Sequence, residues 1–454
     1  VAYSYQQKQR DRSQQPDREV DLAGPNMFQQ NGLSLDQAPP ISVVFRLFLM
    51  AALFGILAGF LILFYRETVF DPASTGAITL THALTLGVMA SFMLGALFQM
   101  LPVIAGVVLD SPIKRSWWIQ APFSLGTIML LLAFNLPAYS QLYMIASLLL
   151  GMSLLGAIAI MLSKLMRLSH HSSSSRGMMV ALLAFAVTIL LALYLTATLS
   201  GFSEGSYYLE VKTLHYHFGL LGWVALLIIS ISFQVVEMFY VTPPYPRILS
   251  QYLTGAILFL LLIKIPLILF LPSAIVVTDT LLALLLIIFA ITTLYRFSQR
   301  KRPLADATMW FWRLGMGSLI LSMLLWIISL LVSYPLLQSV TYITFASFAL
   351  SVVFAMFYKI VPFLTWFHLN AQGYYTAPMM HEVIHPKTAK KHFWIHFAAI
   401  VMLLLSLFVG KLIFVAGTLT ILSFGWIAYQ IIHAHRLYHK TEATGEKFDM
   451  GNMG

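Results

Sequence analysis

The sequence predicts an all-α polytopic membrane protein of about twelve transmembrane helices, arranged as three four-helix repeats around a pseudo-threefold axis. Three observations carry this. Hydrophobic residues fill 59% of the 454 positions and charged residues 10%, against roughly 25% charged in soluble domains. Apolar stretches of about 20 residues, the length that crosses a bilayer, recur twelve times along the chain. One residue template returns on the second, sixth and tenth of them.

The spans are expected near 41–65, 77–101, 117–136, 140–163, 177–200 and 213–239, then near 249–271, 274–296, 308–332, 336–361, 392–410 and 412–434. Connections such as Pro137-Ala-Tyr-Ser140 and Ser333-Tyr-Pro-Leu336 are short enough for tight turns between antiparallel helices. Residues 1–40 are polar, rich in Gln, Pro, Asp and Arg and without apolar periodicity, so a disordered cytoplasmic tail is expected there. They hold no signal-peptide hydrophobic region, which leaves the first span as the insertion signal. A membrane domain over 41–435 and a cytoplasmic tail over 436–454 complete the division.

Twelve crossings put both termini on one side, and the basic residues choose it. Lys8, Arg10, Arg12, Arg18 and Arg46 stand at the start, Lys114 and Arg115 after the second span, Lys164, Arg167 and Arg176 after the fourth. Arg247 follows the sixth, Arg296, Arg300, Lys301 and Arg302 the eighth, Lys387, Lys390 and Lys391 the tenth, Arg436, Lys440 and Lys447 the last. The opposite loops offer little beyond Arg66, Lys212 and Lys411. This alternation places both ends in the cytoplasm. The net charge of +10 is then explained by topology and anionic headgroups, and the lipid bilayer, with no nucleic acid, is the expected contact. Cysteine is absent, which excludes disulfides, thiolate metal ligands and chain-held iron–sulfur clusters.

The template begins at a histidine. His82-Ala-Leu-Thr-Leu-Gly87 runs on to Phe98-Gln99-Met-Leu-Pro102, and His217-Phe-Gly-Leu-Leu-Gly222 reaches Phe233-Gln234-Val-Val-Glu237, with five residues from histidine to glycine and seventeen to glutamine in both. The third copy reads Tyr342, Ser347 and Tyr358-Lys359-Ile-Val-Pro362. Four spans separate successive copies, which argues for three four-helix units with the repeated spans innermost. Small residues at shared positions, Gly87, Gly95, Gly222, Ser347 and Ala355, would let those helices approach one another or a flat ligand.

Ionisable side chains within a bilayer are costly and mark sites. Even-numbered spans start outside, so His82, His215 and His217 are expected at one depth in the outer leaflet. His215 and His217, two residues apart on a helix, point about 200° apart; the repeat nominates His217 to face His82, with His215 in support. Neutral imidazole ligates haem iron and copper, so these three are the candidate metal ligands. Lys212, with Tyr207 and Tyr208, lies in the adjoining outer loop, where it could pair with haem propionates. The bland reading of each histidine is a hydrogen bond to a neighbouring helix.

Twelve spans in three quartets, with histidines near the outer ends of the second and sixth, resemble the large subunit of haem–copper oxidases and nitric oxide reductases. Phe45-Arg46-Leu-Phe-Leu-Met-Ala-Ala-Leu-Phe54, followed by His82 through Pro102-Val-Ile-Ala-Gly106, is also similar to NnrS, a family of haem- and copper-containing membrane proteins linked to nitric oxide stress. The resemblance implies a bacterial inner-membrane protein binding haem b, copper or both, with a role in respiratory redox or nitric oxide metabolism and with other respiratory subunits or a separate electron donor as partners. The chain departs from the oxidase pattern on the seventh span, Ser250-Gln-Tyr-Leu-Thr254, and on the tenth, where Tyr342-Ile-Thr-Phe345 replaces the histidines expected there. A dinuclear oxidase centre therefore lacks its ligands, and Tyr342 is the in-frame substitute as a haem ligand. The competing class is a non-redox accessory subunit, scaffold or transporter that keeps the architecture, so whether the chain is an enzyme, such as an oxidoreductase subunit, stays open.

Glu237, Gln99, Gln234, Tyr358 and Lys359 form the candidate proton path; a Glu237–Lys359 ion pair is the plainer expectation. Lys264 and Asp279, on neighbouring antiparallel spans, are expected to satisfy each other. His381-Glu-Val-Ile-His385 spells a zincin pattern, in poor context between Pro378 and Pro386, because the residue before a proline is biased away from helix. The 22 methionines are read as adaptable core filler.

Overall fold

A computed structural model describes residues 39–107, 109–301 and 306–448. The expected N-terminal tail, apart from its last two residues, lies outside the described residues, as does Arg302. Among the described residues twelve helices are long and apolar enough to cross a membrane: α1 (Ile41–Phe70), α2 (Thr75–Val103), α3 (Pro112–Asn135), α4 (Gln141–Leu165), α5 (Ser173–Leu199), α6 (Tyr208–Tyr240), α7 (Arg247–Phe270), α8 (Pro272–Ser298), α9 (Ala307–Leu331), α10 (Pro335–Ala371), α11 (Pro386–Ser406) and α12 (Leu412–Glu442). The protein is thus a multi-pass helical membrane protein.

Local chemistry starts several spans. Pro112, Pro335 and Pro386 open α3, α10 and α11, where a missing N–H costs nothing. Ser74, Ser172 and Asp306 cap α2, α5 and α9, each accepting from a backbone N–H of the first turn. Asp306 also receives the Lys359 ammonium at 2.5 Å. Burial alone would raise the Asp306 carboxyl, but the lysine and the two neighbouring donors, Thr308 and Met309, outweigh it and hold the pKa below the ordinary value.

Two spans depart from α-helical winding in the same way. In α2 a π-helical stretch covers Ala83–Ala90, starting at the residue after His82; in α6 it covers Phe218–Ala225, starting at the residue after His217. Such wide turns are frequent at functional sites. The tenth span runs to Ala371 rather than ending near 361. Pro362 lies inside it, and the helix continues because Leu364, Thr365 and Leu369 beyond the proline are buried.

Consecutive spans pack side by side, and α12 returns to pack against α1. In the most apolar window of each span, 78% of α2, 78% of α6 and 67% of α10 is buried within the protein, against at most 56% for any other. The three template-bearing spans are therefore the innermost. Where they meet α1 and α9, a small apolar cavity of about 60 Å³ remains, lined by Phe48, Met93, Ile228, Trp312 and Val353 among others. Glycines bring helices together elsewhere: a Cβ on Gly59 of α1 would stand 2.8 Å from the Ile421 nitrogen and 2.9 Å from the Gly417 oxygen of α12. Gly87 and Gly222 serve packing too, since Phe54 of α1 fills the space beside the first and Ala184 of α5 the space beside the second.

Gly59→Val should separate α1 from α12 and destabilise the fold by about 1–3 kcal/mol, because backbone atoms of α12 stand behind the Ile421 side chain and cannot move aside. Gly255, with open space where its Cβ would sit, should accept alanine. Thermal midpoints of the two purified variants, compared with the wild type in one detergent, check the contrast.

Candidate functional site

The π-helical starts of α2 and α6 carry the intramembrane histidines. Nδ1 of His82 lies 2.9 Å from the Ile78 carbonyl and Nδ1 of His217 lies 2.8 Å from that of Thr213. A carbonyl only accepts, so both Nδ1 atoms carry the proton. His215 does the same across helices, its Nδ1 lying 3.1 Å from the Thr188 carbonyl of α5. All three rings thus turn an Nε2 lone pair away from the backbone, the tautomer of a metal ligand whose orientation is fixed by its second nitrogen.

His215, and not His217, is the ring beside His82. The His82 and His215 ring centres are 6.3 Å apart with planes 11° from parallel, and Phe134 of α3 packs on His82 at 4.9 Å. The expectation that His217 faces His82 is corrected accordingly. His217 is 4% exposed, and its Nε2 accepts from the Lys264 ammonium at 3.0 Å. Lys264, fully buried on α7, also donates to Asp279 of α8 at 2.5 Å. The expected Lys264–Asp279 pair is there, extended by an imidazole that sequence reasoning did not connect to it. Three partners across three helices offset a desolvation cost of several kcal/mol per ion.

The other candidates are scattered. Lys212 is exposed in the first turns of α6. Tyr342 lines an outward cavity that also touches His217. Gln99 is buried with neither side-chain atom hydrogen bonded, and the buried Tyr358 hydroxyl has Trp426 beside it without well-formed hydrogen-bond geometry. Gln234 is half-buried. Lys359 pairs with Asp306, and Glu237 accepts from the Tyr245 N–H at 3.1 Å; the Glu237–Lys359 pair is therefore not formed. Among the described residues no hydrogen bond links any two of Glu237, Gln99, Gln234, Tyr358 and Lys359. Nor is the zincin arrangement made. Its helix spans only Met380–Val383, and His385 lies outside it in extended backbone, where its Nδ1 accepts from the Lys387 N–H at 3.1 Å.

A second buried histidine pair was legible only as spacing. His392 and His396 stand four apart on α11, with ring centres 6.4 Å apart. Their Nε2 atoms diverge, the first to Ser423 of α12 at 2.8 Å and the second to Ser351 of α10 at 3.0 Å. They pin three helices together and do not converge on one point. No cluster of three or more His, Asp or Glu side chains suited to a metal occurs among the described residues, so any site at His82 and His215 is built on two imidazoles.

Asp279→Ala should leave a buried, uncompensated ammonium and destabilise the protein by about 3–5 kcal/mol, whereas the double change Lys264→Leu, Asp279→Leu should match or exceed the wild type. Thermal unfolding of both variants reads this, and an equal loss in the two would refute the charge argument. Comparison with models of protein families finds none that matches the chain, and comparison with curated proteins finds no significant match.

Proposed function

We propose that this chain is a copper-binding membrane protein of haem–copper-oxidase-like architecture, with the metal held between α2 and α6 by His82 and His215 and a role in respiratory redox or nitric oxide metabolism. The observation that carries it is the near-parallel ring pair, each ring with Nδ1 committed to a carbonyl. An ion bound to two opposed imidazole nitrogens at about 2 Å each would set the ring centres about 6 Å apart with a straight N–metal–N angle and about 5 Å apart with a tetrahedral one, so the 6.3 Å found suits a near-linear two-coordinate ion. Neutral nitrogen donors without thiolate or carboxylate bind divalent metals in an order that peaks at copper. Two donors leave coordination positions open to a small ligand.

Haem b fits less well at that place. A macrocycle needs a slot beside the ligating nitrogen, and the two glycines that could floor one are covered by Phe54 and Ala184. The residues present suit a single ion.

The threefold architecture is part of the proposal and has its own support. Eleven residues after His82, His217 and Tyr342 stand Met93, Ile228 and Val353, and eighteen after them stand Met100, Val235 and Ile360. All six line the central apolar cavity. The π-helical stretches begin at matching positions in two of the three copies. The outer loops are poor in basic residues, which supports cytoplasmic termini; the bacterial inner membrane follows from the family resemblance. A second reading, an accessory or scaffold subunit without a metal centre, is favoured by one feature: Lys264 occupies Nε2 of His217.

Metal analysis and an optical spectrum of the purified protein decide between them. Copper stoichiometric with the chain is expected, lost in His82→Ala and in His215→Ala but kept in His217→Ala. A Soret band that depends on His82, without copper, replaces copper by haem; neither metal nor pigment leaves the scaffold. The absence of cysteine makes topology testable on a clean background. Glu204→Cys should react with an impermeant maleimide in intact cells and Ser169→Cys only after lysis, and the reverse pattern would invert the orientation.

A further inference from the structure

A cavity of about 400 Å³ opens at the outer end of the bundle between α6, α9 and α10, within the size range of small-molecule sites. Its walls carry five aromatic rings, from Tyr216, Trp326, Tyr334, Tyr342 and Phe345. Gln338, Ser329 and Thr341 add hydrogen-bonding groups between them, and among the described residues no Asp, Glu, Lys or Arg lines the space. His217 closes one side, its ring 5.5 Å from that of Trp326. Behind it the Lys264 ammonium is committed to Asp279 and to the imidazole, so the cavity meets a neutral triad instead of a free charge.

These surroundings select by exclusion. An anion finds no cationic wall, and a metal ion finds no carboxylate. Ser329 and Thr341 each donate to a carbonyl of their own helix at 2.7 Å and Gln338 donates to the Tyr342 hydroxyl at 3.5 Å, but a wholly apolar molecule would leave the remaining accepting capacity of these oxygens unused, at the expense that attends a desolvated polar group. A small quaternary ammonium, which aromatic cages do bind, would fill only part of this volume. What fits is a flat, uncharged ring with hydroxyl or keto groups at its edge: its faces pack on aromatic side chains, and its edge groups reach Gln338, Ser329 or a phenol. Tyr216 and Tyr342 are 37% and 38% exposed, so the cavity is reachable from outside the bundle in the outer half of the membrane.

We propose that this cavity binds the ring of a membrane-soluble quinone or hydroquinone. The site shares no residue with the His82–His215 pair and stands or falls separately from the copper reading.

Quinone-free protein in lipid nanodiscs, titrated calorimetrically with a water-soluble short-chain benzoquinone against empty discs, tests it. The wild type should show saturable binding. Ser329→Trp, which fills the space, and Tyr342→Leu, which removes a ring and its hydroxyl, should each weaken it by about tenfold or more, whereas Tyr252→Leu on the exposed face of α7 should leave it unchanged. Should Ser329→Trp fail to fold, Gln338→Leu takes its place. The double change His82→Ala, His215→Ala should keep quinone binding while abolishing copper, which separates the two readings. Heats equal to those of empty discs, or undiminished in the filled and ring-deleted variants, overturn the proposal.

Discussion

Lipid offers no hydrogen bonds, and that constraint governs the imidazole and charged groups buried inside the bundle. Each spanning helix satisfies its own backbone, but an imidazole, an ammonium or a carboxylate inside the bundle must find its partner in protein. The chain meets this in two distinct ways. His82 and His217 turn Nδ1 back onto a carbonyl of their own helix, which fixes the tautomer without help from any neighbour. His215, His392, His396 and Lys264 reach across to other helices, so their satisfaction also holds the bundle together.

Much of the architecture was legible in the sequence because hydropathy and charge act locally. Twelve apolar runs became twelve helices, and the template that recurs every four spans marked the three that are most buried. The end of α10 was not legible. A proline usually stops a soluble helix, whereas Pro362 lies within one whose far side is packed. The partners of Lys359 and His217 were hidden for a different reason: Asp306 and Lys264 lie on other helices, and no spacing rule within one span reports on lateral neighbours.

The misassigned facing of His217 has a geometric cause. His82 and His217 lie on different helices, and each ring is claimed by the lateral neighbour that stands beside it. For His82 that is His215, at a position without an equivalent histidine on α2. For His217 it is the sector of α7 and α8, where Lys264 and Asp279 stand. Matching frames picked out two equivalent positions and misled about the pairing, because a frame read along one span carries no information about lateral neighbours.

The contact of α12 with α1 through Gly59 and Gly417 joins two spans that are synthesised eleven helices apart. Until the ribosome has released α12, the groove on α1 must be lined by lipid tails, so a nascent chain remains an open arc and its inner helices stay accessible from the side. Any prosthetic atom or small molecule destined for the interior therefore has a lateral entry during biogenesis that the finished ring denies it.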